Sequence, residues 1–271
     1  MVQQPRRVHL RLDQLLNIAG LGVRRASSFM AMGLRVSNDE TVESVALDAN
    51  FQIHFMPVNL PIEQVRDIQK NFRQWIIGNG IRELDQATAI FADNVYEVRT
   101  FIEFHKKTIT QEAIERIAKF KNQTNVAKKL QTIAEEYGID TDFRAHMPSM
   151  SKARNALTHN MGIVSERHCT HDGELRLTWM GFEMEVGGQV VAGDFEPIQV
   201  DAGQLINLRT NVHSRNIPIN TTIELSPHDL HEICLTYWVQ AQNIVAVLSA
   251  QLGEMGIRPT LDDNEEKQAP S

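Results

Sequence analysis

The feature that most constrains this chain is a run of apolar residues at helical spacing between Pro61 and Phe104. Val65, Ile68, Phe72, Trp75 and Ile76 recur every three or four residues, and beyond Gly78 and Gly80 the period resumes at Leu84, Ala87, Phe91, Val95, Val98 and Ile102. A stripe of that length is buried most readily against other helices, which points to a mainly α architecture. Pro61 followed by Glu63 has the form of a helix start. The two glycines interrupt the pattern, so the expectation is one helix as far as Gly78 and a longer one from about Ile81 to Phe104.

A second wide stripe closes the chain: Leu230, Ile233, Cys234, Tyr237, Ala241, Ile244, Val245, Leu248 and Leu252. Ser226-Pro227-His228-Asp229 before it supplies a cap, a proline at the first helical position and an acid at the positive end. Between the two stripes, Thr108 and Thr110 can cap a helix running to about Phe120. Thr124 can cap another from Asn125 to Tyr137, stopped by Gly138. Pro148 opens a shorter helix that ends near Gly162. The period then changes to two at Leu175-Arg176-Leu177-Thr178-Trp179, with hairpin signals at Asp172-Gly173 and Gly187-Gly188. This segment reads as a small antiparallel β insertion at about 163–200. Residues 201–213 read as a short helix and 217–225 as extended chain.

The first 58 residues carry the weakest signal. Val8-His9-Leu10-Arg11-Leu12 and Phe51-Gln52-Ile53-His54-Phe55 alternate as strands do, which suggests an N-terminal β element. Residues 258–271 are polar and acidic and read as a disordered tail. The expected organisation is therefore an extension over 1–58, a helical domain over 59–257 containing the β insertion, and the tail.

Composition narrows the functional classes. A net charge of −7 argues against a general polyanion-coating protein but leaves room for a cleft that handles one phosphate. Two cysteines, Cys169 and Cys234, do not make a disulfide scaffold and fit a reducing cytoplasm. No run approaches 18 uninterrupted apolar residues, so no membrane span is expected. The phosphate loop, the dinucleotide fingerprint, the serine-hydrolase elbow and the zinc-protease helix motif are all absent from the sequence. His168-Cys169-Thr170-His171-Asp172 groups metal-type ligands, but it runs into a turn and lacks a second ligand group of matching spacing. No metal and no cofactor are expected, and Cys234 reads as core.

The most distinctive stretch is Arg154-Asn155-Ala156-Leu157-Thr158-His159-Asn160-Met161-Gly162-Ile163-Val164. It places a guanidinium, an amide and an imidazole at the end of a helix. Arginine offers a fixed fork of donors for a phosphate, and histidine can trade a proton near neutral pH. Spacing alone is weak: with 18 Arg and 10 His in the chain, chance yields about 0.7 Arg-x4-His pairs. Arg99-x5-His105 is a second pair, on a helix where Arg99 and Glu103 have ion-pair spacing. On spacing alone, Arg154 in a surface ion pair and His159 capping carbonyls is the better account of the first pair.

Arg154-Asn155-x-x-x-His159, with the helices around it, resembles the Arg-Asn/polar-x-x-x-His motif of the HEPN superfamily. In that family two long antiparallel helices precede a shorter helix with the motif, and a further helix follows. The counterparts here are about 61–104, 110–137, 147–160 and 227–252. The resemblance implies a HEPN-like helical bundle and a metal-independent endoribonuclease in a toxin–antitoxin or antiphage role. It implies an RNA substrate, a homodimer that brings two motifs to one cleft, and an antitoxin or regulatory partner. His159 would manage the proton of the ribose 2′-hydroxyl, Arg154 would hold the scissile phosphate, and Asn155 would orient one of them. Asp93 and Glu97 stand where some relatives carry supporting acids. Other relatives are non-catalytic modules that bind RNA, a nucleotide or a protein partner.

Overall fold

The computed structural model describes residues 11–39, 60–104, 109–186, 189–191 and 205–257. It is mainly helical with a small antiparallel sheet. In chain order the elements are helices α1 (Leu12–Ser37), α2 (Ile62–Glu103), α3 (Gln111–Lys121) and α4 (Val126–Tyr137), a 3-10 turn at Asp142–His146 and helix α5 (Met147–His159). A second 3-10 turn (Glu166–His168), strands β1 (Glu174–Val186), β2 (Gln189–Val191) and β3 (Ile206–Pro218), and helix α6 (Pro227–Glu254) follow. The described residues divide into two compact units, those within Met1–Val23, Leu84–Met147 and Leu235–Ser271 and those within Arg24–Glu83 and Pro148–Cys234.

The first unit has an aromatic centre. Tyr96 of α2 stacks on Phe120 of α3 with centroids 3.8 Å apart and meets Tyr137 of α4 at 5.2 Å. The hydroxyls are not left dry: Tyr96 donates to Glu136 at 2.7 Å, and Tyr137 shares a 2.7 Å bond with Thr100. Burial, followed by the bond to Glu136, pushes the Tyr96 hydroxyl far above the ordinary tyrosine range. Thr110 caps α3 through Ala113 N–H, and Gly138 ends α4 in the left-handed region at φ 66. The α4 cap is Asn125 rather than Thr124; its side chain accepts from Lys128 N–H at 3.0 Å.

In the second unit α1 lies antiparallel to α2, with Arg25 paired to Glu83 at 3.2 Å, Met30 against Gly80 and Ile76 against Gly33. The expected break at Gly78 and Gly80 does not occur. Each glycine costs a helix about 1 kcal/mol relative to alanine, but here each is a point of close approach. A Cβ at Gly78 would lie 3.0 Å from Leu157 Cβ of α5, and one at Gly80 would overlap Met30.

The strand order is β2-β1-β3. β1 and β2 pair antiparallel from Met184↔Val191 to Val186↔Gln189, and the hairpin signal at Gly187-Gly188 lies outside the described residues. β3 pairs with β1 over 13 positions, from Glu174↔Pro218 to Val186↔Ile206. The helix expected at 201–213 is therefore incorrect over its described part, and the insertion extends past 200 to Pro218. The period-two alternation of 206–213 resolves as a strand because β1 offers it a partner, a non-local fact.

The N-terminal expectation also changes. Leu12 opens a 26-residue helix instead of closing a strand. Leu12, Leu15, Ala19, Ala26, Met30 and Leu34 are its buried apolar side chains, at roughly helical spacing. Val8–Leu10, Phe51–Phe55 and residues 258–271 lie outside the described residues.

α6 follows the sequence closely. Ser226 N–H and Oγ–H both donate to Asp229 Oδ2, and Asp229 N–H returns a bond to Ser226 Oγ at 3.1 Å. That reciprocal pair satisfies amides the helix itself leaves open. All nine residues of the expected stripe are buried, and burial pushes the Cys234 thiol up to about 12. α6 is also the one described helix long and apolar enough to cross a membrane, with half of its most apolar window buried within this fold.

Candidate functional site

α5 presents the motif on its last two turns. Met150, Ala153, Ala156 and Leu157 form its buried face. At about 100° per residue, Asn155 and His159 fall about 40° apart on the opposite side, and Arg154 sits about 100° round from Asn155. His159, the last helical residue, is exposed, whereas Arg154 and Asn155 are half-buried. The His159 ring makes no hydrogen bond to a described residue. The expectation that it caps carbonyls of its own chain is therefore not met among those residues. Arg154 Nε is closed off from solvent, and Thr158 Oγ1–H donates to the Arg154 carbonyl at 2.8 Å.

The residues after His159 fix how the helix ends. Met161 and Gly162 both have positive φ, 48° and 79°. Gly162 N–H reaches back to the Ala156 carbonyl at 3.0 Å, and Ile163 N–H closes the turn on the Asn160 carbonyl at 2.9 Å. Asn160 Nδ2–H adds a 2.6 Å bond to the Ile163 carbonyl. Val164 N–H then donates to Thr221, Ile223 N–H donates to Gly162, and Ile163 pairs with Thr222. The Asn-x-Gly-Ile-Val continuation is thus a fastening that holds the end of α5 to the chain leading into α6. Lys152 Nζ secures the same helix to the Cys169 carbonyl.

The other expected residues are spent elsewhere. Asp93 pairs with buried Lys129 at 2.6 Å and Glu97 with Lys121 at 2.5 Å. Arg99 Nε–H donates to Gln251 at 3.2 Å, and its guanidinium lies 5.2 Å from the Tyr137 ring centre. Glu103 takes Arg116 at 2.5 Å, so the expected Arg99–Glu103 pair is replaced by one between helices. His105 lies outside the described residues.

In the 168–172 cluster, His168 is buried and its Nδ1 accepts from Ser165 N–H at 3.1 Å. Burial, then the nearby charges of Arg167 and Lys152, holds this imidazole below the ordinary histidine range. His171 faces solvent beside Asp172. Among the described residues no three His, Cys, Asp or Glu side chains group as metal ligands.

Sequence reasoning missed one polar centre in the second unit. Glu232 of α6 is 2% exposed. It accepts from Trp179 Nε1–H at 2.8 Å and Phe182 N–H at 3.2 Å, contacts His213 Nδ1 at 2.7 Å, and has His228 Nε2 at 3.4 Å. Gly181 makes room for the His213 ring: a Cβ there would come within 2.6 Å of it. With its oxygens occupied, this carboxylate clamps α6 to both long strands. No sequence signal marked it: at about 100° per residue Glu232 falls on the side of α6 opposite the apolar stripe, where an acid is ordinarily solvent-facing.

The sequence matches no family model, no curated protein and no solved structure.

Proposed function

We propose that the chain is a metal-independent endoribonuclease of HEPN type, acting as a cytoplasmic homodimer in a toxin–antitoxin or antiphage role. The observation that carries this reading is the exposed His159 imidazole, with Asn155 one turn earlier on the same side and Arg154 on the adjoining row. Arg154 holds the scissile phosphate and the charge that builds on it. His159 removes the proton of the ribose 2′-hydroxyl, and the freed oxygen bonds to phosphorus. The bond from phosphorus to the 5′-oxygen breaks, and that oxygen takes a proton from solvent. The products are a 2′,3′-cyclic phosphate and a 5′-hydroxyl. Asn155 orients the phosphate or the hydroxyl.

Analysis of product ends tests the reading. Purified protein in EDTA yields cyclic-phosphate ends from a mixed RNA pool, and Arg154→Ala and His159→Ala do not. The half-burial of Arg154 favours a second reading, a HEPN module that binds RNA, a nucleotide or a protein partner without cutting. That reading requires wild-type protein that retains RNA and leaves it intact.

A further inference from the structure

Met161 is placed in a way that its local structure does not explain. Residues Asn160 to Ile163 form a turn with positive φ at both central positions, a geometry that favours Gly, Asn or Asp. Gly162 fits; a methionine at φ 48 is strained. Nor does packing account for the residue, since Met161 is 68% exposed. The fastening described above, with Asn160 bonded to the Ile163 carbonyl and Val164 to Thr221, imposes this conformation. Ile163 emerges beside it, also exposed. The turn thus holds an apolar, polarisable side chain in solvent two residues beyond His159.

We infer that Met161 is a specificity-determining residue that packs its thioether against the nucleobase beside the scissile phosphate. The inference rests on the ribonuclease reading of Arg154, Asn155 and His159. A thioether suits contact with an aromatic base, and the stapled turn fixes the backbone from which it projects, so that only the side chain is left to order on contact. The strain then serves positioning: with negative φ the residue would point elsewhere, and with glycine there would be nothing to pack.

The test maps cleavage sites across a random-sequence RNA pool in EDTA for wild type, Met161→Gly, Met161→Asn and Met161→Leu, with melting temperatures alongside. Glycine and asparagine accept the positive φ, so both variants melt at or above wild type. Their kcat/KM at the preferred sites falls about threefold to tenfold, and the base preference beside the cut flattens. Leucine keeps an apolar surface and retains the preference. Gain of stability together with loss of preference is an outcome that a merely structural Met161 would not give. Cleavage by Met161→Gly with wild-type rate and preference overturns the inference and leaves the ribonuclease reading intact. A wild-type protein that cuts no RNA overturns both.

Discussion

A methyl group on Gly162 would fall 2.7 Å from Gln74 Oε1, and the residue already sits at φ 79. Gly162→Ala therefore meets both a strained backbone and a buried neighbour, and it should lose about 1–3 kcal/mol. Urea denaturation reads this directly, and an unchanged midpoint would refute the fastening at the end of α5. His168 makes a second prediction at this scale. Its folded-state value lies below the unfolded 6.5, as does that of His146, where burial alone is the cause. The unfolded chain binds more protons than the fold as pH falls through about 6.5, so stability declines on acidification below that value. Melting temperature at pH 5.5 should lie below that at pH 7.5, and His168→Gln should shrink the difference. A pH dependence identical in the variant would remove His168 from the account.

At the scale of elements, α6 depends on its cap and its clamp. Ser226→Ala removes an oxygen that accepts from Asp229 N–H and should cost about 1 kcal/mol. Trp179→Phe leaves the Glu232 carboxylate buried with one donor fewer and should cost about 1–3 kcal/mol beyond the change in packing. A Trp179→Phe variant as stable as wild type would mean that the clamp contributes nothing. The two changes also mark what could be read in advance. α3, α4 and α6 were legible because caps, glycine stops and stripes are local signals. α1 was not, because Gly20, Gly22, Gly33 and several alanines dilute its stripe. β3 was misread because its state is decided by β1, 20 or more residues away in register at every pair. The motif was legible as a string, whereas the Glu232 clamp draws on residues from Trp179 to Glu232 and leaves no string to find.

Taken as a whole molecule, the chain distributes its charge unevenly. Among the described residues the first unit holds 8 Lys and Arg against 12 Asp and Glu, and the second, which carries α5, holds 13 against 12. The overall acidity is thus no obstacle to an RNA site on the second unit, since the excess acid in the described chain belongs to the first. The second unit also carries the strained turn and the fastened helix end, so the features tied to the proposed chemistry share one compact body. The measurement that bears most directly on the central claim is the rate at which RNA is cut in EDTA by wild type, His159→Ala and His171→Ala. His171 is an exposed histidine outside the site and serves as the control. The account predicts cutting by wild type and His171→Ala and none by His159→Ala. Equal cutting by all three proteins, or none by the wild type, would contradict it.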